Sequence, residues 1–232
     1  MSIFMTIRIA FTALGRNKMR TTLTMLGMII GVAAVITMVA LGNGAQASIA
    51  DQIKGAGTNT VTIFPGTVNF GGVQTGAGGN SKLMPADAES LRELPSVAYV
   101  AEGIQSRQQM VYGNQNWSST VVGTNVDFLE IKTWPMKSGM FFSDQDVKGA
   151  AKVVALGTNV AEMLFADADP IGETIRIKNQ PFKVIGIMAP KGSSSSGQNQ
   201  DDQVFVPWTT VTKKLQRSDN LQYIITSTIN AD

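Results

Sequence analysis

Residues 21–50 read TTLTMLGMIIGVAAVITMVALGNGAQASIA, and none of them carries a formal charge. The apolar heart of this run, Thr21 to Gly42, forms a helix about 33 Å long at ~1.5 Å per residue, enough to cross a hydrocarbon core of ~30 Å. The residues before it hold Arg8, Arg16, Lys18 and Arg20 and no acidic residue. Cations gather on the side of a span that stays in the cytoplasm. These four residues are therefore read as topology-determining, with the N-terminus inside and everything after about Gly44 outside.

A cleaved secretory signal is the competing reading, because Ala45-Gln46-Ala47 resembles a small-residue cleavage site. The apolar region of a signal runs ~7–15 residues, shorter than this one, and its leader is shorter too. The leader here also has a pattern of its own. Ile3, Phe4, Ile7, Ala10, Phe11 and Leu14 recur at helical spacing opposite Arg8, Asn17 and Lys18, as suits an amphipathic helix lying in the membrane interface over residues 1–18. The membrane helix and a short stalk are expected over 19–57, ended by Gly55 and Gly57. Gly27 and Gly31, with Ala34 close to the same face, make a small-residue surface on which another helix can pack. Glycine is also common in membrane helices for its own sake.

The formal charge of +2 belongs to the leader alone, since residues 51–232 hold fifteen basic against seventeen acidic residues. No basic stripe interleaved with aromatics remains, which argues against nucleic acid as a partner. The chain has no histidine and no cysteine. That removes the Ser-His-Asp triad, the Cys-His dyad and the usual zinc sets. There is no phosphate-cradling Gly-x-x-x-x-Gly-Lys-Ser/Thr, so ATP hydrolysis, if the system uses it, belongs to another domain or chain. No enzyme activity, cofactor or metal is expected of this chain. The carboxylate pairs Asp167 with Asp169 and Asp201 with Asp202 are read as a helix exit and a solvated loop, with too few oxygens in reach for calcium.

The exported part reads as short mixed elements. Thr60–Phe64 is a β-branched strand, Pro85 opens a helix carrying Asp87 and Glu89 at its positive end, and Val97–Gln105 is the next strand. That order predicts a strand-helix-strand unit with parallel strands. Hairpins are expected with tips at 113–116 and 179–181, strands at 153–156 and 204–206, and a helix opened by Pro207. Thr124 or Asn125, and Thr158 or Asn159, are expected to cap short helices. The tetrad Gly-Thr-Asn-Val, at 123–126 and 157–160, reads as one strand-to-helix turn used twice. The last strand, 221–229, alternates. Residues 66–82 are rich in glycine and asparagine and read as a mobile loop; residues 192–203 contain no apolar residue and read as a flexible outer loop. Phe70, Gly71 and Gly72 in the first and Ser193, Ser194, Ser195 and Ser196 in the second are candidate partner contacts, although a solvated connection is the plainer reading of both.

The stretch RNKMRTTLTMLGMIIGVAAVI at 16–36, TVTIFPG at 60–66, VVALGTNVAEMLF at 153–165, DPIGETIRI at 169–177, FKVIGI at 182–187 and VFVPWTT at 204–210, taken in order, resemble the permease of MacB-type ABC transporters in the MacB/FtsX superfamily. The resemblance implies an α+β chain: one N-terminal transmembrane helix, then a mixed α/β extracytoplasmic domain with a porter-like βαβ part at 58–106 and 219–232 and an inserted, β-rich part at 107–218. It implies a bacterial inner-membrane protein that passes ATP-driven movement to a periplasmic domain for efflux or export. The implied partners are an ABC ATPase, a periplasmic membrane-fusion adaptor and a second copy of the permease. A membrane-tethered binding or assembly module of the FtsX or lipoprotein-releasing type is the alternative within the same superfamily. The family's permease has four membrane helices, whereas one span is found here, so the chain reads as a fragment or truncated product unable on its own to couple ATP hydrolysis.

Overall fold

The computed structural model describes residues 5–9, 12, 17–56, 59–66, 69–70, 73–74, 82–166, 168–194, 197–216, 218 and 220–229. Two compact units divide the chain, Met1–Asp51 and Gln52–Asp232. In the first, residues 5–9 are helical, and helix α1, Lys18–Ala56, follows. Its segment Lys18–Ile49 is long and apolar enough to cross a membrane, its most apolar stretch of 18 residues having a mean hydropathy of 2.4. Its hydroxyls turn inward: Thr24 donates to the Arg20 carbonyl at 2.7 Å and Thr37 to the Ala33 carbonyl at 2.8 Å. These i−4 bonds let threonine sit in hydrocarbon without an unsatisfied polar group.

The second unit is built on β4, Val97–Tyr112, a strand of 16 residues. Its first half pairs with β11, Tyr223–Thr228, which pairs in turn with β1, Thr60–Ile63; both pairings are antiparallel. β1 and β4 therefore run the same way with β11 between them. Helix α2, Pro85–Arg92, connects β1 to β4 as the strand-helix-strand order predicts. Pro85 occupies its first turn, and the Asp87 carboxylate accepts from the Met84 amide at 2.7 Å, satisfying one of the donors a helix start leaves open. Between β1 and α2, β2 (Asn69–Phe70) and β3 (Val73–Gln74) pair antiparallel, so the expected loop at 66–82 holds a small ribbon.

The second half of β4 pairs with β5, Gln115–Thr124. From β5 the pairings continue to β10 (Gln203–Pro207), β7 (Val153–Leu156), β9 (Gln180–Met188), β8 (Thr174–Ile177) and back to β4. Six strands thus close a ring, which leaves no free edge among them. A further strand, β6 (Met136–Gly139), pairs with β9. Helix α5, Thr158–Phe165, packs on β5, β10, β4 and β9. It gives Val160, Leu164 and Phe165 to a core shared with Met110, Val121, Ile175 and Phe182. Helices α3, Asp127–Lys132, and α4, Asp144–Gly149, contribute to a second core around Phe205. The Phe205 ring lies 5.4 Å from those of both Phe128 and Trp134.

Several expectations change at this resolution of detail. The hairpin tips are two-residue turns: Gly113–Asn114, within the expected 113–116, and Lys178–Asn179, one residue before the expected 179–181. At the second, both turn residues have positive φ, 48° and 63°, the backbone that matches the right-handed twist of paired strands. Neither α3 nor α5 has a side-chain cap; Asn125 donates to the Val100 carbonyl at 2.7 Å and Thr158 to the Met188 carbonyl at 3.0 Å, so tertiary partners win over the local ones. The repeated tetrad does end a strand and lead into a helix both times, after β5 and after β7. The helix opened by Pro207 is a single α turn, Trp208–Thr210, followed by a π-helical stretch, Val211–Gln216. β11 does not alternate between core and water: Ile224 enters one core, Tyr223 and Ile225 the other.

Candidate interaction sites

Along α1 the side chains of the small-residue face meet nothing from the chain itself. A Cβ added at Gly27 or Gly31 would have no heavy atom within 4 Å, and Ala34 is exposed. Arg8, Lys18 and Arg20 are exposed as well, as cations in water or among lipid headgroups require. Arg16 lies outside the described residues.

An acidic cleft of about 450 Å³ opens where α2, β4, α3 and α4 converge. Glu102, on β4, is only 3% exposed. Its Oε1 accepts from the Arg92 guanidinium at 2.7 Å, and Arg92 also donates to Glu89 at 2.7 Å and to the Val100 carbonyl at 3.2 Å. Glu102 Oε2 and Asn125 Oδ1 are buried without a hydrogen-bond partner. Asp127, at the first turn of α3, accepts from the Val100 amide at 3.4 Å. Burial raises the Glu102 carboxyl above its usual range against the downward pull of Arg92, and burial likewise raises Asp127. Nothing singled out this cleft in the sequence, although an acidic residue inside the apolar strand VAYVAEGI was the available signal.

A second cleft, about 290 Å³, is walled by aromatic rings. Phe64, just past β1, is 66% exposed, and its ring centroid lies 6.2 Å from that of Tyr223. The Gln105 amide nitrogen donates to the Tyr223 hydroxyl at 3.1 Å, and burial pushes that hydroxyl up to about 12. Across the cleft Trp134 lies under the Lys191 ammonium, 4.7 Å from ring centroid to nitrogen. Lys191 also donates to the Lys132 carbonyl at 2.8 Å. Burial, helped by the Lys132 charge, lowers the Lys191 ammonium to about 8, and burial lowers Lys132 too.

The loop after Lys191 is tied at both ends. The Asp201 carboxylate accepts from the Lys191 amide at 2.7 Å and the Gly192 amide at 2.9 Å, while Asp202 accepts from the Trp117 indole at 2.7 Å. The two aspartates are therefore structural staples, which corrects their reading as a solvated pair. Ser193 bridges Asn199, and the Ser194 amide donates to the Gln198 carbonyl at 2.8 Å. Ser195, Ser196, Gly71, Gly72 and Asp167 lie outside the described residues, as does the Phe70 side chain. Asp169 accepts from the Ile171 amide at 3.0 Å, a local turn. Among the described residues, no group of three or more Asp or Glu is arranged to hold a metal ion.

Residues 21–232 match the MacB-like periplasmic core domain family. The chain is 42% identical over 204 residues to the macrolide export ATP-binding/permease protein MacB of Syntrophobacter fumaroxidans, covering 87% of this chain and 28% of that protein. It is 37% identical over 210 residues to the protein of the same name from Wolinella succinogenes, covering 90% and 32%. The chain thus spans about a third of the length of these curated relatives. The crystal structure of the periplasmic region of MacB from Actinobacillus actinomycetemcomitans superimposes with a TM-score of 0.64 at 25% identity, covering 76% of this chain and 77% of that one. The extracellular domain of the transporter YknZ shares the fold, with a TM-score of 0.62 at 18% identity over 75% and 86%. With most of the membrane-length helix and the whole ring-bearing sheet inside the matched region, the chain belongs to the family of MacB-like periplasmic core domains.

Proposed function

We propose that the chain is the part of a MacB-type permease that holds its first membrane helix and its extracytoplasmic domain, and that it passes movement driven by ATP hydrolysis elsewhere to an export assembly. The observation that carries this is the family match itself, which runs without interruption from Thr21 through α1 and the whole sheet to the last residue. In the sequence only residues 57–59 lie between α1 and β1. The partners are an ABC ATPase domain or chain, a periplasmic adaptor and a second permease copy, with the leader cations keeping the N-terminus in the cytoplasm. Within the domain, residues 58–106 and 219–232 act as the porter-like part and 107–218 as the inserted part. The side-by-side placement of β1, β11 and the first half of β4 supports that division. Phe70 to Gly72 and Ser193 to Ser196 are proposed as adaptor contacts.

The test is a chimera in which residues 21–232 replace the matching segment of the Syntrophobacter relative, expressed with that relative's adaptor in cells lacking their own exporters. Macrolide resistance above the empty-vector level is expected; a chimera that inserts normally and confers none overturns the proposal. Because the chain has no cysteine, orientation is read separately from Ser2→Cys and Ser193→Cys. A membrane-impermeant maleimide should label only the second in intact spheroplasts.

A further inference from the structure

The aromatic cleft is assembled where β4 passes from one set of partners to the other. Phe64, Tyr223 and Gln105 come from the side of β1, β11 and β4, while Phe128, Lys132 and Trp134 come from α3 and the chain just after it. The polar atoms of the rings have partners within the fold: the Trp134 indole donates to the Ala189 carbonyl at 2.7 Å, and the Tyr223 hydroxyl accepts from Gln105 at 3.1 Å. What the rings offer the cleft is therefore apolar surface. Phe128, Trp134 and Tyr223 are buried, whereas Phe64 stands exposed at the lip, its ring tilted over that of Tyr223. A ligand seated here removes that phenyl face and the cleft lining from water.

Charge and volume select the occupant. Lys132 is the charged residue that lines the cleft, and among the described residues no Asp or Glu lines it. A second ammonium is close by. Lys191 lies over Trp134 and donates to the Lys132 carbonyl at 2.8 Å, so it caps the C-terminal end of α3. Asp201, on the same loop, is engaged elsewhere, since each of its carboxylate oxygens accepts from a backbone amide, one from Lys191 and one from Gly192. Two neighbouring cations at an apolar hollow repel a cationic ligand and attract an anionic one. At about 290 Å³ the cleft is at the small end of ligand sites, ~300–1,000 Å³, which suits one ring with a short arm rather than a peptide segment. We infer that the cleft binds a small aromatic carboxylate, its ring held between Phe64 and Trp134 and its carboxylate at the Lys132 ammonium. Burial and the neighbouring Lys132 charge lower the Lys191 ammonium to about 8, and an anion beside the pair favours both charged forms.

This site stands apart from the export assembly proposed above, and its test needs no other subunit. The nitrogen-15-labelled 232-residue chain in zwitterionic detergent micelles is titrated at neutral pH with 3-phenylpropionate, and in parallel with its neutral amide and with 3-phenylpropylammonium. Saturable shifts of the Trp134 indole and of amides around residues 64, 105, 132 and 223 are expected for the carboxylate. The Trp208 indole, which lines the other cleft, should stay where it is. The amide should bind about tenfold more weakly and the ammonium more weakly still. Lys132→Met should bring the carboxylate down to the affinity of the amide, whereas Phe64→Ala should weaken both several-fold, because it removes ring contact alone. That split separates an ammonium–carboxylate contact from a general loosening of the cleft. Phe64 is exposed, so its variant keeps the test open if Lys132→Met does not fold. Equal affinity for carboxylate and amide, tighter binding of the ammonium, shifts that never saturate, or unchanged affinity in the folded variants would each overturn the assignment.

Discussion

The Trp117 indole nitrogen donates to the Asp202 carboxylate at 2.7 Å, joining β5 to the start of β10 across 85 residues of sequence. The same two segments are joined again by the Ser119 hydroxyl, which donates to the Asp202 carbonyl at 2.8 Å. Hydrogen bonds to a charged group are worth ~1.5–3 kcal/mol, so Asp202→Ala is expected to destabilise the domain by that order. Trp117→Phe should cost less, about 1 kcal/mol, since the carboxylate it strands is only partly buried. Urea midpoints of the two single variants and the double variant give the coupling; a coupling indistinguishable from zero would mean that the indole and carboxylate are merely adjacent.

How far the fold was legible is shown by the same aspartate. The local elements were readable because they depend on neighbours in sequence: the anchor from its charge-free run, α2 from Pro85 with Asp87, the β8–β9 hairpin from turn residues flanked by Ile175 and Phe182. Asp202 reads as a loop residue because its partner is long-range, and nothing in G-S-S-S-S-G-Q-N-Q-D-D-Q announces an indole. For the same reason the closure of the strand ring through β8 and the acidic cleft around Glu102 were out of reach, since both arise only when β4 serves two sets of partners at once. Local chemistry offers Thr124 or Asn125, and Thr158 or Asn159, as caps, but buried carbonyls in β4 and β9 claim the Asn125 and Thr158 donors instead.

Gly157 and Gly149 should respond oppositely to alanine. A Cβ at Gly157 would press on the backbone carbonyls of Asp201 and Gln203, the second at 2.7 Å, and neither can retreat without breaking the Gly157 to Gln203 hydrogen bond. Gly157→Ala is therefore expected to cost about 1–3 kcal/mol by overpacking. At Gly149, the last residue of α4, a Cβ meets nothing within 4 Å, and alanine is the better helix former by up to ~1 kcal/mol. Thermal or denaturant midpoints check the pair. A Gly157→Ala midpoint at or above that of the parent would show that the β7–α5 turn has slack the packing denies.

Lys191 makes stability depend on alkaline pH in a definite direction. Its ammonium sits at about 8 in the folded chain, below the ordinary value of 10.5. Between those two values the unfolded chain binds the extra proton, so the contribution of this lysine to stability rises as pH climbs from about 8 toward 10.5. Lys191→Met keeps the stem against Trp134 and deletes the titration. Stability of the parent relative to this variant should increase between pH 8 and pH 10, while Tyr223, pushed up to about 12, is common to both and cancels. A difference that stays constant across that window would place the Lys191 nitrogen in water.

Gly27→Leu separates the anchor from its packing role. On α1 the position faces open space, with no heavy atom within 4 Å of an added Cβ. A leucine there therefore disturbs nothing in this chain and lengthens an already sufficient apolar run, so insertion and expression should be unchanged. Close approach of a second helix is another matter, because in lipid it rests on backbone proximity that a large side chain abolishes. In the chimeric transporter, Gly27→Leu is expected to cut export markedly, Gly27→Ala to be tolerated, and Ile36→Leu, about half a turn away on the opposite face of the helix and 62% exposed, to be silent. The measurement is resistance normalised to membrane-inserted protein. Full resistance with Gly27→Leu would show that no helix packs on the Gly27–Gly31 face, and would leave α1 as a simple tether.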